Sequence, residues 1–112
     1  MILPWPPKEL SPNFRKGWRA SSKFRVAYKQ EGFMAAQGQL KLESKPTELK
    51  ITFHPPDKRR RDLDNCLASI KLGLDGVAEA LGIDDRHFHP ITINWGEQVK
   101  GGRVDILITE TQ

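Results

Sequence analysis

Leu49, Ile51 and Phe53 alternate with Lys50 and Thr52, and this period of two predicts a strand over Glu48–His54 that stops at Pro55-Pro56. Ile91, Ile93 and Trp95 alternate in the same way, as do Val104, Ile106 and Ile108. Lys100, Gly101, Gly102 and Arg103 lie between them, so the pattern predicts an antiparallel hairpin with a basic tip. Met1–Leu3 is a short apolar start followed by Pro4, Pro6 and Pro7 around Trp5. It reads as an edge strand ended by a stiff proline turn, with Trp5 as a packing plug. Leu63, Leu67, Ile70, Leu74, Val77 and Leu81 recur at spacings of four and three, which predicts one amphipathic helix stopped by Gly82. Gly73 and Gly76 weaken that helix but admit close approach of another backbone.

The remaining stretches are less patterned. Ser21 or Ser22 can cap a helix reaching about Ala36, with Phe24, Tyr28 and Ala35 on one side. Gly32 argues against it, and Gly38 ends it. Residues 8–19 read as a polar loop in which Asn13, Arg15, Lys16 and Arg19 surround Phe14 and Trp18. Such interleaving suits phosphate contacts and base stacking as well as a plain surface loop. Residues 41–45 are polar, and Pro46 bars a central strand there.

A chain of 112 residues is one small domain, spanning 1–112. Only 38% of its residues are apolar, and a chain of this size buries roughly two thirds of its unfolded surface, so a second subunit would add stability. The net charge of +4 favours a polyanionic partner such as nucleic acid. Cys66 is the single cysteine, which excludes an intramolecular disulfide and a cysteine zinc cluster and fits a reducing, cytoplasmic setting. No signal-peptide pattern and no apolar run of membrane-spanning length is present.

The chemistry concentrates in PDKRRRDLDN, residues 56–65. Lys58, Arg59, Arg60 and Arg61 run directly into Asp62 and Asp64. Lysine and arginine hold phosphates, and clustered carboxylates hold Mg²⁺ or Mn²⁺. Together they suggest metal-assisted cutting of a phosphodiester bond. An exposed basic loop followed by a helix-capping aspartate is the plainer reading of the same residues. On a continuous helix Asp64, Lys71 and Asp75 share one face, at the border between core and solvent. Asp84 and Asp85 follow in the turn after Gly82. They join Asp64 only if the fold returns them, because the predicted helix is about 27 Å long. That return requires a shorter helix, a break or a second subunit. His54, His87 and His89 read as structural or surface residues.

These motifs, taken in order, resemble the RusA family of endodeoxyribonucleases, which resolve Holliday junctions in bacteria and are often carried by prophages. The resemblance rests on LPWPP at 3–7, PDKRRRDLDN at 56–65, the helix with Lys71 and Asp75, the Asp84-Asp85 turn, and KGGR followed by VDILITE at 100–110. It implies an α/β fold, a small mixed sheet with helices packed against it. It implies a homodimer that binds four-way DNA junctions and makes paired nicks with Mg²⁺ or Mn²⁺. The family's catalytic and metal-holding carboxylates fall on Asp62, Asp64 and Asp85, and a lysine needed for cleavage falls on Lys71. The segment between the DLDN motif and Asp75 is about one helical turn longer than the family pattern, so Lys71 lies seven residues after Asp64 instead of four. Lys58, Arg59, Arg60 and Arg61, with Lys100 and Arg103, are the candidate DNA contacts. Two rivals stand beside this reading. One is a branched-DNA-binding protein of the same fold without catalysis, and the other is a metal-dependent nuclease acting on flaps or other branched DNA.

Overall fold

In the computed structural model, residues 1–39 and 46–110 are described, and the polar stretch 41–45 lies outside them. The elements run β1 (Ile2–Pro4), α1 (Gly17–Ala36), β2 (Thr47–His54), α2 (Leu63–Ser69), α3 (Lys71–Leu81), β3 (Phe88–Trp95) and β4 (Arg103–Glu110). Short 3-10 turns cover Lys8–Leu10 and Asp85–His87. Among the described residues the strands form one mixed sheet in the order β1-β4-β2-β3. Helices α1 and α3 pack on each other, and the chain forms a single α/β domain.

The sheet has one buried face. Leu49, Ile51 and Phe53 of β2, Val104 and Ile106 of β4 and Leu3 of β1 are sealed from solvent on it. Lys50, Thr52 and Leu107 point to the open face, as strand alternation requires. The predicted strand over β2 is present and starts one residue earlier, and the predicted edge strand at the N-terminus is present but shifted by one residue.

The predicted hairpin is not. β3 pairs in parallel with β2, and β4 pairs antiparallel with β2 on its other side. The two strands run in opposite directions, as in a hairpin, but β2 lies between them. Residues 96–102 therefore cross the end of β2, where Gly96 N donates to Phe53 O (2.8 Å) and Val99 N to Pro55 O (3.0 Å). Alternation defines a strand without naming its partner, and a glycine-containing connection suits either arrangement. The parallel β2–β3 pair requires a crossover, which α2 and α3 provide.

The predicted single helix over 63–81 is also broken. Ile70 leaves helical geometry at φ −101° and ψ 4°, which separates α2 from α3. Ser69 Oγ donates to Asn65 O at 2.8 Å just before the break. The apolar stripe survives on both pieces, because Cys66, Ile70, Leu74, Val77 and Leu81 all face the core.

Helix α1 starts at Gly17, not at Ser21, so the predicted loop 8–19 is shorter than its sequence suggests. Its buried stripe is Ser21, Tyr28, Gly32 and Ala36, mostly small residues, which is why the apolar signal is weak. The small residues serve a backbone-to-backbone crossing. A methyl group on Gly32 would overlap the carbonyl of Gly73, and one on Gly76 would overlap the carbonyl of Lys29. One on Gly73 would sit 2.7 Å from the Tyr28 ring. Tyr28 OH donates to Pro4 O at 2.8 Å and ties α1 to the end of β1. The sequence reading held Gly32 against a helix and allotted Gly73 and Gly76 to a close contact. The second inference holds, and Gly32 is the matching half of it.

Gly76→Ala must push α1 and α3 apart. It is expected to lower stability at the upper end of the roughly 1–3 kcal/mol typical of overpacking, measured as a fall in the urea midpoint at unchanged slope. An unchanged midpoint would mean that the crossing is looser than described.

Candidate active site and nucleic-acid groove

The PDKRRRDLDN segment leaves β2 through Pro55-Pro56 and folds on itself before α2. Arg61 Nη1 meets Asp57 Oδ1 at 2.9 Å and donates to the carbonyl of Arg59 at 3.0 Å. Its guanidinium also lies over the Trp5 ring, 5.3 Å from the centroid. The side chain is only 18% exposed. Bonds from Arg61, and from the Arg59 N–H, hold the Asp57 carboxyl below its usual range. The structure thus makes Arg61 a strut of the loop. Lys58 and Arg60 are exposed and have no ion pair among the described residues, and Arg59 reaches Asp57 only at 3.6 Å while staying mostly in solvent.

Trp5 is the plug that the proline-rich start predicts. Its ring meets Phe53 edge-on at 6.2 Å. Gly102 comes so close that a methyl there would lie 2.8 Å from Trp5 Cβ and 3.1 Å from Pro56 Cδ. Gly102 also has φ +70°, which glycine alone adopts readily. LPWPP, the proline turn before the basic run, and KGGR therefore meet at one point. This contact explains why three distant sequence motifs belong together.

These segments wall an open groove of about 770 Å³. Arg59, Arg60 and Asp62 of the basic segment line it together with Lys8 and Asn13 of the segment after LPWPP, and Cys66 of α2 is also at the lining. Burial pushes the Cys66 thiol up, so it stays protonated and inert near neutral pH. Asp62 occupies the position just before α2, and its carbonyl accepts from Cys66 N at 3.1 Å. Its carboxylate makes no capping bond. The plainer reading, in which this aspartate caps the helix, is therefore not what the structure shows. Asp64 is exposed in the first turn and accepts from Asn65 N at 3.0 Å.

Asp85 is placed against α3. The turn at Gly82 folds the chain back along α3, so Asp85 hydrogen-bonds with Asp75 on the helix and with Asp84 beside it. Asp84 Oδ1 accepts from Arg86 N at 3.0 Å, and that bond, followed by the one with Asp85, lowers its carboxyl. Partial burial pushes Asp75 up to about 6, helped by the Asp85 hydrogen bond and charge and opposed by Lys71 and Lys29. Lys71 is exposed one turn before Asp75 on α3. The break at Ile70 removes the continuous helix on which Asp64, Lys71 and Asp75 were to share a face. Only Lys71 and Asp75 remain on one helix.

The acidic residues thus form two sets, Asp62 with Asp64 and Asp85 with Asp75 and Asp84. Carboxylate oxygens are suitable donors for Mg²⁺ or Mn²⁺. Among the described residues, however, no three His, Cys, Asp or Glu side chains are grouped so as to hold an ion. Asp75 was not among the predicted site residues. Its position four residues after Lys71 was the available signal, and its contact with Asp85 was not readable from sequence. Of the other predicted DNA contacts, Lys100 is exposed, while Arg103 Nε donates to Asp105 Oδ1 at 3.0 Å. Asp105 also meets His54 Nε2 at 3.0 Å, and His54 Nδ1 meets Glu97 O at 2.8 Å. His54 is a structural clasp, as its place at a strand end suggests.

Fold and site together define a small α/β domain that presents one uncapped carboxylate, Asp62, in a groove lined by arginines. The chain is 34% identical to the crossover junction endodeoxyribonuclease rusA of Enterobacteria phage HK97, over 99% of this chain and 93% of that protein. It is 32% identical to the protein of the same name from Enterobacteria phage 82, over 98% and 92% of the two chains. An uncharacterized protein of Xylella fastidiosa is 42% identical over 97% of this chain and 74% of its own length. No protein-family model matches. The chain belongs to the RusA crossover junction endodeoxyribonuclease family.

Two outcomes follow from this geometry. Arg61→Ala is expected to cost about 1–2 kcal/mol in urea unfolding, through the lost Asp57 and Trp5 contacts, while Arg60→Ala stays within about 0.5 kcal/mol. Equal effects would contradict the strut. Asp75 ionises near 3.9 in the unfolded chain and near 6 in the folded one. Between these values the folded state holds a proton that the unfolded state has released, so stability falls as pH rises through the window. Asp75→Asn should abolish that fall, read as urea midpoints across the window; a fall that persists belongs to another group.

Proposed function

We propose that this protein is a crossover junction endodeoxyribonuclease that cuts four-way DNA junctions, and that it uses Mg²⁺ or Mn²⁺. The observation that carries the reading is Asp62, a carboxylate at a helix start that is left uncapped on the wall of a groove lined by Arg59 and Arg60. The full-length similarity to the phage HK97 and phage 82 enzymes points the same way.

The roles follow from chemistry. Lys58, Arg59 and Arg60 neutralise backbone phosphates and position DNA without reading its bases. Lys100 adds a further cation, and Arg103 offers the guanidinium nitrogens not held by Asp105. Asp62, Asp64 and Asp85 are the candidate ligands of the divalent ion. When bound, such an ion lowers the pKa of water and offsets charge on the reacting phosphate. Asp75 orients Asp85 by hydrogen bond, and Lys71 offsets negative charge beside it. A two-fold homodimer would present two such sites to a junction of matching symmetry, which accounts for paired nicks. No helix among the described residues is long and apolar enough to cross a membrane, and we place the protein in the bacterial cytoplasm as a host or phage product.

One rival is a branched-DNA-binding protein without catalysis, favoured because among the described residues no three His, Cys, Asp or Glu side chains are grouped to hold an ion. Cleavage of a synthetic four-way junction and a linear duplex, with and without Mg²⁺, decides between them. Paired nicks on the junction alone are expected. Asp64→Asn is expected to lower the rate at least about a hundredfold, the scale of losing one electrostatic stabiliser, while junction binding is kept or tightened. Tight binding with no nick under Mg²⁺ or Mn²⁺ would establish the binding protein. Equal cutting of a flap would widen the substrate class.

A further inference from the structure

We infer that the groove between residues 6–13 and residues 56–62 takes a single unpaired DNA strand, and that Lys8 and Asn13 are its far wall. The inference rests on the nuclease reading above and adds residues that the basic run does not contain.

The groove has polar walls from two segments far apart in sequence. Arg59 and Arg60 offer cations from one segment, and Lys8 offers another from the other. Lys8 is exposed and has no ion pair among the described residues. The Asn13 backbone N–H donates to Ser11 Oγ at 3.2 Å, which fixes the turn and leaves its side-chain amide without a hydrogen-bond partner there. An amide of this kind bonds phosphate oxygens or base edges equally well. Asp62 lines the same groove, so a strand lying in it passes a free carboxylate.

Size selects the ligand. About 770 Å³ falls within the range of roughly 300–1,000 Å³ in which sites enclose a small ligand. That space holds a few nucleotides of one strand, whereas a duplex is too wide to enter it and can only lie over its mouth. The walls cannot simply spread. Gly102 is wedged against Trp5 and Pro56, and Arg61 bridges Trp5 to Asp57. The two sides are therefore pinned at their base. A positively charged groove that tracks the backbone is one part of how proteins hold single strands without sequence preference.

The test is fluorescence anisotropy with a short labelled oligothymidylate and a hairpin duplex of equal length, without divalent metal so that nothing is cut. Lys8→Glu and Asn13→Asp alter exposed side chains in a turn, and Lys50→Glu makes the charge change of Lys8→Glu on the open sheet face. Lys8→Glu is expected to weaken the oligothymidylate at least about tenfold and Asn13→Asp about fivefold, with Lys50→Glu within about twofold and the duplex little changed. If Lys8→Glu and Asn13→Asp lose no more than Lys50→Glu, or if the duplex loses as much as the single strand, the groove assignment is wrong. Junction cutting by the wild type separates the two proposals. A protein that cuts junctions but shows no groove effect loses only this inference. One that shows the groove effect and cuts nothing loses only the nuclease.

Discussion

Backbone contact between α1 and α3 sets the frame of this protein. At Gly32 and Gly76 the two helices touch through their main chains, and Gly73 takes the Tyr28 ring of α1 against its backbone. A contact of this kind has little freedom to slide, because the neighbours of a glycine cannot fill the gap that a shift would open. It fixes α3 above the sheet. With α3 fixed, the core stripe must bend wherever the sheet beneath it demands, and it bends at Ile70. Helix α2 then takes its own direction and delivers Asp62 and Asp64 to the arginine loop. The turn at Gly82 brings Asp85 back onto α3 at the level of Asp75. One helix contact therefore determines where both acidic sets lie.

The second joint is polar and lies where the chain leaves β1 and β2 and enters β4. Asp57 and Arg61 close the basic loop on itself, Arg61 covers Trp5, and Gly102 closes on Trp5 from the β3–β4 connection. A run of four cations would ordinarily repel itself into an extended, solvated loop. Using one of them as an internal strut leaves three cations projecting from a fixed base. Positioning, more than charge alone, separates a cutting site from a sticky surface, since a small misplacement of the reacting group carries a large rate cost.

Much of this was legible in the sequence, and the failures share a cause. Strand alternation located β2, β3 and β4; in β2 and β4 it records burial on one face, whereas in β3 the alternating Ile91 and Trp95 stay exposed. It could not say that β2 lies between the other two, because pairing depends on contacts far apart in the chain. The helical stripe located the core face of 63–81 but not the break, since Ile70 is neither glycine nor proline and remains in the core on both readings. Helix α1 was half hidden, because its contact face is built from small residues that carry no apolar signal. At the site, residue types were readable and distances were not. The Asp62–Asp64 pair and the basic run were found from sequence. The spending of Arg61 inside the loop, the Asp75–Asp85 contact and the far wall at Lys8 and Asn13 all depend on the return of distant segments.

Two aspartates at the starts of helical segments make the functional point. Asp84 begins the 3-10 turn at 85–87, and its carboxylate accepts from Arg86 N, as a capping aspartate should. Asp62 begins α2 with the same extended geometry and accepts no such bond. An N-cap of this type ordinarily stabilises a helix by about 0.5–2 kcal/mol, so the chain forgoes a stabilisation that its sequence makes available. Local rules that a sequence could satisfy but does not are concentrated where a side chain has another task. Asp62 is exposed and lines the same groove as Arg59 and Arg60. On the proposed function, the uncapped carboxylate is stability withheld from the helix and left for a ligand in the groove.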